Sequence, residues 1–166
     1  MNGALLDTSF LITLSKEDRE HHLVAKQYYR ACLDRLIPMY LSAIVISEFE
    51  VRQPIADLPL HNFLVLPFNF DDARAAASLA APGAKARPAG YPRDTAKDDL
   101  KLLAQCEISG ISHFLTDDNQ CVKKIETLRK QLPARSLPMG VWCGEAFDDA
   151  LFNSGNQRGL PGMPPK

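Results

Sequence analysis

The stretch Ala4-Leu5-Leu6-Asp7-Thr8-Ser9 contains the pattern from which the fold of this chain can be predicted. It is a short apolar run that ends in an acid and two hydroxyl residues, which is typical of a buried strand followed by a turn into a helix. A second such run, His113 to Thr116, is followed by Asp117 and Asp118. Both acidic groups would lie at the carboxyl ends of strands, where open parallel sheets bind their ligands.

Short strands alternate with helices along the rest of the chain. Further strands are predicted over 38–41, 63–68 and 137–142, and helices over about 16–36, 43–53, 71–81, 95–109 and 119–131. Ser42 is a plausible N-cap for the second of these helices. The stretch 82–94, with two glycines and three prolines, is predicted to be a loop. The alternation predicts an α/β fold, a three-layer α/β/α sandwich with a central parallel sheet.

The length of 166 residues fits a single domain with a full core. We expect residues 1–147 to form this domain and residues 148–166, rich in Gly and Pro, to be a flexible tail. No apolar run approaches the roughly 20 residues that cross a bilayer, and the N-terminus lacks the pattern of a secretion signal. A cytoplasmic protein with no membrane association is therefore expected.

Charge and cysteine content exclude some classes of function. A net charge of −1 argues against a protein that holds nucleic acid by bulk charge alone. The four cysteines lack the spacing of zinc sites or disulfide frameworks, so we expect buried, reduced thiols.

Two predicted helices carry an acid on a face that should point inward. Glu48 shares a face with Ile44 and Val45, where a glutamate is costly unless it is paired or ligates something. The alternative for Glu48 is an ion pair with Arg52, four residues further on.

The helix expected to begin at Thr95 carries two adjacent acids, of which only one can face the core. Asp99 aligns with the apolar residues Leu102, Leu103 and Cys106, and Asp98 aligns with the polar residues Lys101 and Gln105. The spacing of Thr95 and Asp98 also resembles a capping box. We therefore predict that Asp99 is the functional acid and that Asp98 caps the helix.

Several carboxylates without a catalytic His, Cys or Gly-rich partner favour metal-assisted phosphodiester cleavage. Clustered carboxylates repel one another, and a bound divalent cation relieves that repulsion. Oxygen-rich sites suit Mg²⁺ or Mn²⁺, and one or two ions are expected here.

These residues resemble the PIN-domain family, and within it the bacterial VapC-type toxin ribonucleases. The resemblance covers about residues 3–145 and rests on four stretches in order: Leu5-Leu6-Asp7-Thr8-Ser9, Leu41-Ser42-Ala43 leading to Ser47-Glu48-Phe49, Asp99-Leu100-Lys101-Leu102-Leu103-Ala104, and Phe114-Leu115-Thr116-Asp117-Asp118. It implies an α/β/α sandwich and Mg²⁺- or Mn²⁺-dependent cleavage of RNA by metal-activated water. For a toxin it also implies an antitoxin partner, and a homodimer is a further expectation.

Carried over residue by residue, the resemblance gives a set of site residues. The catalytic acids would be Asp7, Glu48, Asp99 and Asp118, and the metal ligands Asp7, Asp99, Asp117 and Asp118. The fourth acid of the family matches Asp118, but Asp117 stays open as an additional ligand. Supporting roles fall to Thr8, Ser9, Thr116 and Asp98. The long stretch 82–94 departs from the family pattern and offers Lys85, Arg87 and Arg93 as candidate RNA contacts.

Two other functions remain open from the sequence. A phosphatase of the haloacid dehalogenase type also has an aspartate after its first strand, but it needs a second acid where this chain has Ser9. A degenerate PIN domain that only binds nucleic acid or protein is the non-enzymatic alternative, and the complete set of acids argues against it.

Overall fold

The computed structural model describes residues 3–153 as five strands with helices on both sides. The strands are β1 (Ala4–Leu6), β2 (Met39–Ser42), β3 (Phe63–Leu66), β4 (His113–Thr116) and β5 (Met139–Trp142). They form one fully parallel sheet in the order β3-β2-β1-β4-β5. The predicted α/β/α architecture is confirmed.

Eight α-helices connect or follow these strands in the described residues. They are α1 (Thr8–Ser15), α2 (His22–Asp34), α3 (Ala43–Glu50), α4 (Phe70–Ser78), α5 (Ala80–Ala86), α6 (Arg93–Ser109), α7 (Asn119–Gln131) and α8 (Ala150–Asn153). Short 3₁₀ turns span Ile55–Asp57 and Leu60–Asn62.

The central strand β1 is fully buried, and it positions the site. Leu5 pairs with Tyr40 of β2 on one side and with Phe114 of β4 on the other. The chain therefore moves outward from β1 in both directions, and the carboxyl ends of β1 and β4 meet where the strand order reverses. A crevice forms at such a switch point in open α/β sheets.

Two helix predictions were wrong in their limits. The helix predicted over 16–36 is instead α2, which begins only at His22 after an exposed turn. The turn consists of Lys16, Glu17, Asp18, Arg19, Glu20 and His21. It has no apolar residue to bury, so packing gives no reason to extend the helix through it. Helix α3 ends at Glu50, three residues before the predicted end at Gln53.

The predicted loop over 82–94 is only partly a loop. Its first half belongs to α5, which packs so closely on α6 that a Cβ at Gly83 would lie 2.7 Å from Leu100 Cδ1. Glycine here reflects a close helix contact rather than a turn. The C-terminal cap of α6 is as predicted, because Gly110 adopts the left-handed conformation with φ of 64°.

The predicted capping role of Asp98 was wrong. Helix α6 begins at Arg93, with Pro92 as its N-cap residue, so Thr95 and Asp98 both lie inside the helix. Asp98 instead pairs with Lys101, whose Nζ lies 2.8 Å from Asp98 Oδ1.

Part of the predicted C-terminal tail packs on the domain. Phe152 in α8 is buried, and its ring contacts those of Tyr28 and His113. His113 Nε2 also lies 2.9 Å from the Leu151 carbonyl oxygen. The apolar residues of α8 complete the core, which is why this segment is ordered. The rest of the predicted tail, 154–166, lies outside the described residues. Within residues 3–153, no helix is long and apolar enough to span a membrane.

Candidate active site

Asp7 lies at the carboxyl end of β1 and is also the N-cap of α1. Its Oδ1 accepts hydrogen bonds from the Phe10 backbone N–H at 2.8 Å and from the Ser9 hydroxyl at 2.9 Å. Its Oδ2 accepts a hydrogen bond from the Thr116 hydroxyl at 2.7 Å. Burial raises the pKa of Asp7 from 3.8 to about 7, against these three hydrogen bonds and with a contribution from the nearby charge of Asp99. Asp7 is therefore placed both as a cap and as a crowded, buried acid.

Ser9 and Thr116 join the ends of β1 and β4. Their hydroxyl oxygens lie 3.1 Å apart. The Ser9 hydroxyl accepts from the Asp117 N–H at 2.8 Å, and the Thr116 hydroxyl accepts from the Asp118 N–H at 3.0 Å. Two of the three hydroxyl residues predicted to support the site thus fix Asp7 relative to the two acids that follow β4.

Asp99 on α6 and Asp118 after β4 are bridged by a residue that the sequence did not single out. The Tyr91 hydroxyl lies 2.8 Å from Asp99 Oδ2 and 3.0 Å from Asp118 Oδ2. A phenol has one proton, so it can donate to only one of the two carboxylates at a time. Burial, followed by the charge of Asp99, raises the pKa of Tyr91 well above its usual value, which keeps the phenol neutral.

Lys124 on α7 is the second residue that the sequence analysis missed. Its side chain has no solvent exposure, and its Nζ lies 3.6 Å from Asp99 Oδ2 and 2.5 Å from the Ala96 carbonyl oxygen. A signal was present in the sequence, because Lys124 falls at helical spacing among the buried residues Cys121, Ile125 and Leu128.

Burial and charge act against each other at Asp99. Burial raises the pKa of Asp99 from 3.8 to about 6, while the ammonium of Lys124 and the hydrogen bond from Tyr91 oppose that rise. The charge of Asp118 raises the pKa of Asp99 further. The site thus combines several carboxylates with a buried cation beside one of them.

Glu48 reaches the same cleft from α3. Its Oε2 accepts a hydrogen bond from the Thr8 hydroxyl at the start of α1. Among residues 3–153, the ion pairs do not include one between Glu48 and Arg52. Helix α3 ends at Glu50, so Arg52 does not lie one helical turn beyond Glu48. Arg52 is exposed and lines the cleft instead.

One cleft of about 440 Å³ contains the main set of predicted acids. Its walls include Asp7, Thr8, Ser9, Glu48, Arg52, Tyr91, Asp98, Asp99 and Asp118. Asp98 lines the cleft and forms an ion pair with Lys101. Thr116 is buried beneath the cleft and donates a hydrogen bond to Asp7.

Asp117 is not part of this cleft. Its side chain turns the other way, toward Thr13, Arg19 and His21. Burial alone would raise the pKa of Asp117, but hydrogen bonds from Thr13, His21 and Cys143 outweigh that effect and hold the pKa below its usual value. The sequence left open which of the two adjacent acids faces the cleft. In the structure, Asp118 lines the cleft and Asp117 does not.

The three predicted RNA contacts are not among the residues that line the cleft. Lys85 is exposed on α5, Arg87 is partly exposed, and Arg93 is exposed at the start of α6. Arg93 stands between Tyr91 and Thr95, both of which line the cleft. Their contact with RNA stays a prediction.

No family model and no curated protein sequence is significantly similar to this chain. Several solved structures, in contrast, have a fold similar to that of this chain. The toxin VapC20 of Mycobacterium tuberculosis, described as cleaving the sarcin-ricin loop, superimposes with a TM-score of 0.55 at 17% identity, covering 72% of this chain and 92% of its own.

Two VapBC structures solved with bound DNA are similar as well. VapBC2 of Rickettsia felis gives a TM-score of 0.54 at 13% identity, with coverage of 89% and 100%. VapBC of Salmonella typhimurium gives 0.51 at 18% identity, with coverage of 86% and 99%. At these identities the comparison shows a shared PIN-like fold.

Proposed function

We propose that this chain is a divalent-metal-dependent endoribonuclease that hydrolyses RNA phosphodiester bonds in the carboxylate cleft. The observation that carries the proposal is the gathering of Asp7, Glu48, Asp99 and Asp118, which are distant in sequence, around one cleft at the switch point of the sheet. The fold shared with the VapC20 toxin supports RNA as the substrate class.

The chemistry of the donor set fits a hard divalent cation. Asp7, Asp99 and Asp118 offer carboxylate oxygens, which Mg²⁺ and Mn²⁺ prefer. The raised pKa values of Asp7 and Asp99 reflect buried, crowded acids that a cation would relieve. A divalent ion held there supplies Lewis-acid activation of water and of a phosphoryl oxygen.

The surrounding residues position the acids and the substrate. Ser9 and Thr116 fix the Asp7 carboxylate, and Thr8 fixes that of Glu48. Glu48 lines the same cleft, and we propose that it accepts a proton from the attacking water. Arg52 in the cleft would contact the phosphates of an RNA strand, and Lys85, Arg87 and Arg93 are proposed as further contacts outside it.

We further propose that the chain is the toxin of a toxin–antitoxin pair, because two of the similar structures are VapBC complexes. Expression of the intact chain should then arrest growth of a bacterial host, and expression of Asp99→Asn should not. Growth arrest by both proteins would contradict a toxic nuclease activity.

The nuclease proposal is tested with a labelled RNA incubated with Mn²⁺, with and without chelator. We expect cleavage that needs the ion and that is lost in Asp7→Asn and Asp99→Asn. Asp94→Asn is the matched control, because Asp94 lies on the same helix, is fully exposed and does not line the cleft. A DNA of the same sequence separates RNA from DNA cleavage.

Mg²⁺ binding can be measured independently of cleavage. Binding to the folded state alone should raise the melting temperature, relative to a monovalent salt of equal ionic strength, in the native protein and in Asp94→Asn. The shift should be lost in Asp99→Asn. If the chain is only a binding domain, the purified native protein will show the Mg²⁺-dependent rise in melting temperature or will bind RNA. It will not cleave RNA.

A further inference from the structure

A second group of metal-binding side chains lies one strand away from the carboxylate cleft. Asp117 follows β4 directly, and Cys143 follows β5, the neighbouring strand. The Cys143 N–H donates to the Thr116 carbonyl at 3.0 Å, which holds the two strand ends side by side. His21 reaches the same place from the turn between α1 and α2. Three separate parts of the chain therefore meet there.

The donor atoms of these three side chains are close together. A nitrogen of His21, an oxygen of Asp117 and the sulfur of Cys143 all lie within 4.8 Å of one another. Within residues 3–153, no other set of three His, Cys, Asp or Glu side chains brings its donor atoms within 4.8 Å of one another. The acids of the carboxylate cleft do not do so either. Nδ1 of His21 lies 2.5 Å from Asp117 Oδ1, and the Cys143 thiol is hydrogen-bonded to Asp117. Hydrogen bonds therefore join the three side chains. A metal ion that bound here would displace the protons of these hydrogen bonds.

The two oxygens of Asp117 have different surroundings. Oδ2 accepts the Thr13 hydroxyl at 2.6 Å and lies 3.6 Å from Arg19 Nη2. Oδ1 faces His21. The Arg19 side chain is about half exposed at 48%, so it can turn into solvent when a cation arrives. One oxygen thus anchors the carboxylate, and the other is available as a ligand.

The remaining surroundings orient the donors and give access. The His21 ring stands edge-on to Trp142, with centroids 5.9 Å apart at 84°, which fixes the plane of the imidazole. The His21 side chain is 26% exposed, so an ion can enter from its side. Cys143 is fully buried, so its sulfur lies at the inner end of the site.

We propose that His21, Asp117 and Cys143 form a second cation site, selective for a borderline-soft divalent ion of the Zn²⁺ type. The set of one nitrogen, one oxygen and one sulfur ligand suits Zn²⁺ and not Mg²⁺. Three protein ligands leave a fourth position for water. The ion would tie the turn over 16–21 to the ends of β4 and β5. The inference does not depend on the proposed nuclease function.

Co²⁺ added to the fully reduced protein is a direct probe, because cobalt bound to a thiolate gives a charge-transfer absorption band in the near ultraviolet. We expect this band in the native protein and its removal by added Zn²⁺. The band should be lost in Cys143→Ser, in which a hydroxyl can keep the hydrogen bond to Asp117. In His21→Ala it should need roughly tenfold more Co²⁺.

Two controls separate this site from the cleft and from other thiols. Cys106→Ser should keep the band, because Cys106 is equally buried but lies away from these donors. Asp7→Asn should keep it while losing RNA cleavage, so that the two sites fail independently. Absence of the band from the native protein, or a band unchanged in either His21→Ala or folded Cys143→Ser, would overturn the proposal. Circular dichroism checks folding, and His21→Ala, at a partly exposed position, carries the test if Cys143→Ser does not fold.

Discussion

Lys124 Nζ lies 3.6 Å from Asp99 Oδ2, and the Lys124 side chain has no solvent exposure. A buried cation beside one acid of an acidic cleft offsets part of the repulsion that the cleft would otherwise have. Burial lowers the pKa of Lys124 and the charge of Asp99 opposes that decrease, so each member of the pair supports the charged form of the other.

Replacing Lys124 with Met should destabilise the protein by about 3 kcal/mol at neutral pH, because it leaves the Asp99 carboxylate buried without its cation. Equilibrium unfolding in urea measures this loss. The double variant Lys124→Met/Asp99→Asn should recover a large part of it. Strictly additive effects of the two substitutions would mean that the pair is not coupled.

The stability of the metal-free protein should depend on the charge of Asp7. Its pKa is raised in the folded state, from 3.8 to about 7, so the folded chain keeps a proton that the unfolded chain has already lost. The free energy of unfolding should therefore fall as the pH rises from about 4 to about 7, by on the order of 4 kcal/mol for this group.

Asp7→Asn should remove that pH dependence. Asparagine is also a good N-cap, so its oxygen can still accept the Phe10 N–H. In chelator at about pH 8, we expect the variant to melt at a higher temperature than the native protein while showing no cleavage. A variant that melts lower, with an unchanged pH profile, would show that the Asp7 carboxylate is ionised and stabilising in the folded state.

Substitution of Asp99 should reduce cleavage far more than substitution of Asp98. Asp99→Asn is expected to abolish cleavage, because Asp99 contacts both Tyr91 and Lys124 at the cleft. Asp98→Asn removes a partly exposed ion pair with Lys101, so it should cost less than about 1 kcal/mol and reduce cleavage less than roughly tenfold. The opposite ranking in a side-by-side turnover and melting measurement would move the site to Asp98.

Tyr91→Phe should bind Mn²⁺ several-fold more tightly than the native protein. The phenol hydroxyl lies between Asp99 and Asp118 and competes with an ion for their oxygens. Removing a hydrogen bond of about 1 kcal/mol corresponds to roughly a fivefold change in Kd. Isothermal titration calorimetry gives the value, and Asp94→Asn is again the control. Weaker binding by Tyr91→Phe would mean that the phenol oxygen itself helps to hold the ion.

The strands of the sheet and most of the acids in the cleft could be predicted from the amino-acid pattern alone. Short apolar runs such as Leu5-Leu6 and Phe114-Leu115 are typical of buried strands, and an acid directly after such a strand lies at its carboxyl end, where parallel sheets bind ligands. Helical spacing placed Asp99 on the buried face of α6 and left Asp98 on a more polar one, as the structure has them.

The distant side chains that complete the two clusters could not be predicted in this way, because they meet only when the elements pack together. Asp117 and Asp118 are adjacent, and the local pattern does not say which of them turns toward the cleft and which toward α1 and α2. Tyr91 comes from a segment without a periodic pattern, and His21 and Cys143 belong to opposite ends of the domain. Their contacts depend on which elements pack together. Periodicity within one element records which face is buried but carries no information about the partner it meets.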